Sequence, residues 1–201
     1  MMTTVQRRTK TETKIRDAFI ELMQEKGFEA MTVSSIVRLA DINRGTFYLH
    51  YLDKFDLKQQ LIDDAIDDLA EILVDSDARS GRSAVGDVLD IFRTEAIAEA
   101  LRYVKREYAF FDAISRSGND MQMYDRFKDV LKRMLISQAK RLDLTSHTFA
   151  DIPQPYAMEI LVSSVSSIIW LWIRGGCKET PERICAIIER NKTMAPLDIL
   201  R

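Results

Sequence analysis

From Ile15 onward the apolar positions recur at helical spacing: Ile15, Ala18, Phe19, Leu22 and Met23 share a face, and Gly27 follows Lys26 as a stop. A first helix from about Thr11 to Lys26 is therefore expected. Thr32 then caps a short helix carrying Val33, Ile36, Val37 and Ala40, Asp41-Ile42 makes a tight turn, and Asn43 caps a second short helix, RGTFYLHY. Asp53 offers a third cap, with Asp56 placed to favour the helix dipole, and opens a long helix. Its apolar stripe is Leu61, Ile62, Ala65, Ile66, Leu69, Ile72 and Leu73; Asp63, Asp64, Asp67, Asp68 and Glu71 form the opposite, wet stripe. DARSGRS, residues 77–83, breaks the periodicity as a linker. Helical patterns resume over about 85–103, 105–115 and 121–142, with SRSGND between the last two. After the loop LTSHTFADIPQP a mostly apolar helix runs from Tyr156 to Arg174 and stops at Gly175-Gly176; Pro181 opens a last helix to about Lys192. With seven glycines and four prolines in 201 residues, turn-makers are few, so the expected fold class is all-α.

The formal net charge of -2 seems to argue against a nucleic-acid partner. Its distribution says otherwise. Residues 1–60 hold 10 basic and 8 acidic side chains, residues 61–100 hold 3 and 11, and residues 101–201 hold 16 and 12. Within the first 16 residues Arg7, Arg8, Lys10, Lys14 and Arg16 face Glu12 alone, so an acidic middle hides a basic entrance. The two cysteines, Cys177 and Cys185, suggest neither a disulfide framework nor a metal quartet, and structural burial is expected for both. No secretion-type apolar run opens the chain, and a cytoplasmic protein is expected. Residues 157–173 approach the lower limit of a membrane span but carry Glu159 and four serines, so a buried or subunit-facing helix fits better and no membrane partner is expected.

Two short helices joined by a tight turn and preceded by a longer helix make a helix-turn-helix arrangement over about residues 32–51. Phe47 and Ile42 must face inward to hold the pair together. That leaves Arg44, Gly45 and Tyr48 outside. Gly45 lets the backbone approach a phosphate; Arg44 can reach a guanine edge or a phosphate, and Thr46 a phosphate or a thymine methyl. Tyr48 and His50 offer donors to the sugar-phosphate chain, and Lys54 adds charge near a helix N-terminus.

The run Thr32-Val33, Ile36, Ala40 and then INRGTFYLHYLDKFDL, residues 42–57, resembles the DNA-binding domain of TetR-family transcriptional regulators. The resemblance spans about residues 9–69 without a gap. It implies DNA contacts at Arg44, Gly45, Thr46, Tyr48, His50 and Lys54, with Thr32 and Ser34 where the first short helix meets phosphate. Arg7, Arg8 and Lys10 correspond to an arm that enters a minor groove. Asp41 stands where the family has a turn glycine, Asn43 where it has a serine cap, and Tyr51 where it has phenylalanine. Residues 84–192 are expected to form a helical effector-binding and dimerisation domain. There LRYVKREYAFFDAISRSGND and IIWLWIRGGCKETPERI are similar to a subgroup that includes activators of dihydroxyacetone kinase operons.

Tyr103, Phe110, Phe111, Met123, Phe127 and Trp170 suit a pocket for a small apolar or aromatic effector, though core packing explains them equally well. Trp170 and Trp172 lie two apart and cannot share a helix face. His147 falls in a loop with no assigned role. The aspartate-rich face of the long helix reads as solvated rather than as a cation site. Two histidines, no Gly-rich phosphate loop, no nucleophile motif and no clustered metal ligands give catalysis nothing to stand on, so neither enzyme activity nor a cofactor is expected. The expected function is a transcriptional repressor that binds a pseudo-palindromic double-stranded DNA operator as a homodimer. Its dimer seam would be at about residues 156–192, and a small molecule would release it. An activator, or an interaction module of the same fold working through a protein partner, is the alternative.

Overall fold

A computed structural model describes residues 9–79, 94–115, 120–141 and 152–193. Every regular element among them is a helix: α1 (Lys10–Ala30), α2 (Val33–Leu39), α3 (Arg44–Tyr48), α4 (Lys54–Arg79), α5 (Thr94–Arg106), α6 (Tyr108–Ser115), α7 (Asp120–Arg141), α8 (Gln154–Arg174) and α9 (Pro181–Thr193). Arg7, Arg8, His147 and most of the expected linker lie outside the described residues.

Two compact units divide the chain, the first made of Met1–Asp68 and Ala109–Met123, the second of Leu69–Tyr108 and Tyr124–Arg201. In the first, α1 packs on α2 and α2 on α3 around Ile15, Phe19, Ile36, Phe47, Leu57 and Leu61. Gly27 breaks α1 as its position suggests (φ 74°, ψ 171°), but the chain then adds one more turn, and Phe28 is buried with its ring 6.4 Å from Phe19. The α4 stripe from Leu61 to Leu73 is buried throughout. Asp68 corrects the expected wet stripe: it is buried, where Asp67 is exposed. At five residues from Asp63 the 3.6-residue period has carried it over the edge of the apolar face.

In the second unit α5 and α8 both pack on α9. Pro155 sits within the first turn of α8, where its missing N–H costs nothing, and Gly175 caps its other end. The chain leaves through Gly176 (φ 93°) and Cys177 (φ 46°), whose N–H donates to the Trp172 carbonyl at 2.9 Å. Cys177 and Cys185 are both buried. Trp172 is buried and its indole N–H donates to the Glu179 carbonyl at 3.1 Å; Trp170 is half-buried with its ring 5.5 Å from Tyr124. The length and apolar content of α8 would suffice for a membrane span, yet Ala157, Val162, Val165, Ile169 and Ile173 are buried in the protein.

Candidate nucleic-acid interface

Each helix that builds the interface is closed at its N-terminus by a side chain. Thr9 and Glu12 form a reciprocal capping box on α1, with Glu12 Oε2 accepting from the Thr9 backbone N–H at 2.7 Å and Thr9 Oγ1 accepting from the Glu12 N–H at 3.2 Å. Thr32 and Ser35 repeat the arrangement on α2, both bonds at 3.1 Å. Asn43 Oδ1 accepts from the Thr46 N–H at 2.7 Å on α3, and Asp53 Oδ1 accepts from the N–H groups of Phe55 and Asp56 on α4, both at 2.8 Å. Asp56 in turn accepts from the Leu52 N–H at 2.8 Å. The turn between α2 and α3 is left-handed at Asp41 (φ 51°), a conformation that a short polar side chain tolerates. The Lys14 ammonium lies 3.8 Å from its carboxylate.

The outward face of α3 presents Arg44, Gly45 and Tyr48. One Arg44 guanidinium nitrogen donates to the Tyr48 hydroxyl oxygen at 3.3 Å, and the guanidinium lies 5.9 Å from that ring. The phenol oxygen thus accepts from Arg44 and keeps its own proton for an external acceptor. A Cβ on Gly45 would meet Asn43 Oδ1 at 3.2 Å, close to the atom that caps the helix. The Thr46 hydroxyl donates to Asn43 Oδ1 at 3.0 Å. Thr32 is exposed, and its oxygen accepts from Ser35, so its proton is available; Ser34 and Lys10 are exposed as well.

The Lys54 ammonium is turned to the end of α1, donating to the carbonyls of Phe28 (3.0 Å), Glu29 (3.2 Å) and Met31 (3.0 Å), with the Phe28 ring at 4.7 Å and Phe55 at 5.2 Å. An ammonium has three N–H bonds and three acceptors take them. The reason is the turn added after Gly27, whose carbonyls end α1 and face Lys54; the Phe28 carbonyl accepts from the Met31 N–H at 3.2 Å as well. Lys58, one turn on, lies 4.7 Å from the Phe28 ring, and burial lowers its pKa against the opposing charge of Glu29.

His50 is half-buried with Nδ1 3.4 Å from Glu12 Oε1. Two further residues on this surface are absent from the set that the sequence pattern suggests. Arg38, in the last turn of α2, lines an open recess of about 730 Å³ with Val37, Asp41, Ile42, Asn43 and Thr46. Leu49 is 84% exposed, one turn on from Gly45. Helical spacing continued past Tyr48 places it on the outward face, but an apolar side chain carries no hydrogen-bonding signal to mark it as a contact. Among the described residues no group of three or more His, Cys, Asp or Glu side chains could hold a metal ion.

Residues 15–61 match the family model for bacterial regulatory proteins of the tetR family, and residues 94–191 match the model for a transcriptional regulator C-terminal region, TetR_C_8. The chain belongs to the TetR family of transcriptional regulators. Members of this family are DNA-binding proteins and not enzymes. An uncharacterized HTH-type transcriptional regulator of Bacillus subtilis (strain 168), YxbF, is 22% identical over 174 residues, which cover 86% of this chain and 42% of YxbF. The chain thus matches less than half the length of that relative. The MftR regulator of Mycobacterium tuberculosis, named for mycofactocin biosynthesis, is 28% identical over 147 residues, 72% of this chain and 74% of MftR. Among solved structures, the dihydroxyacetone kinase operon activator DhaS superposes with a TM-score of 0.60 at 20% identity, covering 90% of this chain and 93% of DhaS. The fatty acid degradation regulator FadR from Bacillus halodurans gives 0.66 at 14%, covering 92% and 95%. A TetR regulator from Streptococcus agalactiae gives 0.60 at 25%, covering 90% and 93%. These likenesses establish the fold.

Proposed function

We propose that this TetR-family regulator is a cytoplasmic repressor that binds a pseudo-palindromic operator as a homodimer and leaves it when a small apolar or aromatic molecule binds its C-terminal region. The observation that carries the reading is the outward face of α3, where Arg44, Gly45 and Tyr48 stand together on a helix already capped by Asn43. Arg44 is assigned to a guanine edge or a phosphate, Tyr48, Thr32, Ser34 and His50 to the sugar-phosphate chain, and the Thr46 methyl to a thymine. Lys10 with Arg7 and Arg8 is assigned to the minor-groove arm. Lys54 acts by holding the start of α4 against the end of α1.

The dimer reading rests on α8 and α9. Tyr156, Ile160 and Leu171 are 67%, 58% and 75% exposed, and with Ser163, Ser164 and Ser167 they follow one face of α8; Ile187 on α9 is also exposed. Apolar side chains left on one stripe of an otherwise buried helix suit a second copy of the chain. Ile169, on the other side of α8, is 3% exposed and belongs to the protomer's own core. The effector reading rests on the buried Tyr103 and Phe127 and the half-buried Trp170 in the second unit, and on the buried Phe110, Phe111 and Met123 in the first.

Selection of duplexes from a random-sequence pool, followed by footprinting, tests the core of the proposal. Protected half-sites should be centred about 34–36 Å apart or a simple multiple of it. Enrichment of a single unsymmetrical site would overturn the dimeric reading, and Arg44→Ala binding all selected sites with unchanged affinity would overturn the assignment of α3.

A further inference from the structure

Among the described residues the two most exposed large apolar side chains are Leu49, at 84%, and Leu52, at 80%. A single exposed leucine is ordinary on a protein surface, so placement has to decide whether these two matter. The other large apolar side chains that are more than half exposed are accounted for by their surroundings. Tyr156, Ile160 and Leu171 follow the outer stripe of α8, and the Phe55 ring packs edge-on against Phe28 at 5.2 Å. Leu49 and Leu52 instead stand at and just past the end of α3, the helix that carries Arg44, Gly45 and Tyr48.

Backbone geometry fixes where Leu49 stands. Its N–H donates to the Gly45 carbonyl at 3.1 Å and its own dihedrals are helical (φ -73°, ψ -23°), so it continues α3 in register, one turn beyond Gly45 on the same face. At Gly45 that face carries no side chain. The outward surface of α3 is therefore a gap followed by an apolar side chain, beside the Arg44 and Tyr48 pair whose polar groups meet at 3.3 Å. Leu52 lies outside α3, where its N–H donates to Asp56 Oδ2 at 2.8 Å ahead of α4.

A leucine side chain has neither donor nor acceptor, so it cannot bond a phosphate or the polar edge of a base pair. The major groove presents acceptors, amino donors and one apolar substituent, the C5 methyl of thymine. We propose that Leu49 is a specificity-determining residue, selecting a thymine by apolar contact with its C5 methyl one turn along α3 from the place where Gly45 lets the backbone approach the duplex. The contact removes both groups from water and is lost at a cytosine, which has only hydrogen at C5. The inference rests on the proposed placement of α3 in the major groove.

The test uses the duplex that the full chain selects from a random-sequence pool, with each thymine of a half-site replaced in turn by deoxyuridine, which lacks only the methyl. Affinity is measured for wild type, Leu49→Ala, Leu52→Ala and Thr46→Ser, the last keeping the hydroxyl that bonds Asn43 and losing the threonine methyl. At one thymine the wild type should lose about threefold to fivefold on substitution, the scale of one methyl removed from an apolar contact. Leu49→Ala should lose nothing at that thymine, while Leu52→Ala and Thr46→Ser keep the wild-type loss there. A wild type indifferent to uracil at every position overturns the contact, as does a loss that Leu49→Ala retains everywhere. Sensitivity at that same thymine abolished by Leu52→Ala or Thr46→Ser gives the methyl to that residue and overturns the assignment too. A pool that enriches no duplex, or Arg44→Ala binding every selected site as wild type does, fails the placement of α3 and takes the inference with it. A selected duplex that depends on Arg44, with uracil sensitivity intact in Leu49→Ala, fails the inference alone. Circular dichroism melts check that Leu49→Ala is folded, and a side chain this exposed should leave the melting temperature unchanged.

Discussion

Replacing Lys54 by alanine separates two roles for a lysine at the mouth of a DNA-binding helix. In the structure its ammonium closes the end of α1 through the carbonyls of Phe28, Glu29 and Met31. Hydrogen bonds involving a charged group contribute about 1.5–3 kcal/mol net, and three that share one half-buried ammonium do not add in full, so about 2–3 kcal/mol is the reasonable total. The contacts over Phe28 and Phe55 fall within that range. At about 2–4 °C per kcal/mol for a chain of this size, Lys54→Ala should lower the first thermal transition by roughly 5–10 °C. The slope of log affinity against log salt should stay unchanged, because a lysine that neutralises no phosphate releases no counterion. Were the ammonium on a phosphate, each subunit would lose about 0.9 from the slope, close to two for a dimer. Calorimetry and a salt titration at a temperature where the variant is folded read both quantities. A wild-type melting temperature with a slope shallower by about two would refute the capping role and return Lys54 to the phosphate.

Leu171→Asp should convert the protein to monomers in sedimentation, since a charge replaces a side chain worth about 1.5–3 kcal/mol if buried; a dimer mass would place the seam off this face of α8. Gly27→Ala should destabilise by about 1–2 kcal/mol in urea unfolding purely through its backbone, since a Cβ there meets nothing within 4 Å; an unchanged midpoint would mean that the turn relaxes freely. Lys128 donates to Glu159 at 2.6 Å, and this bond and that from Ser163 hold the Glu159 carboxyl below its ordinary range. A depressed folded value means that the stabilisation is present above the unfolded pKa and is lost as pH falls through the folded one. Glu159→Gln should therefore lie below wild type in melting temperature at pH 7 and converge with it in acid; parallel curves would refute the linkage.

The caps are legible in the sequence because they are local. Thr32, Asn43 and Asp53 each bond backbone N–H groups two or three residues ahead, and short polar residues preceding apolar periodicity announce that arrangement. The inward set Phe19, Phe47, Leu61 and Leu69 is legible for the same reason, since period alone decides which face is covered. The fate of Lys54 is not. Its partners are 23 to 26 positions upstream, and they are available only because the chain continues for a turn past Gly27. Nothing within a helical window of Lys54 encodes that. The burial of Ile169 is not legible for a related reason: a helix that is apolar on most of its circumference does not say which side meets the protomer's own core and which a second chain.

The distinction between local and distant partners also separates what each site residue can do. Arg44 and Tyr48 satisfy each other within one turn of α3, so their mutual bond can be exchanged for a bond to DNA without disturbing any other helix. Glu12 and Lys54 are bound to groups far along the chain, His50 in one case and the end of α1 in the other. Exchanging those partners for DNA would loosen the packing of the reading helix or of α4. The side chains suited to read a sequence are therefore those with local, replaceable partners, and the charged residues with distant partners are suited to hold the readers in place. By that criterion the net charge of -2 limits this regulator less than it first suggests. Some of its charge near the interface supports the geometry of contact, and a salt slope smaller than a count of its basic residues would imply is the expected consequence.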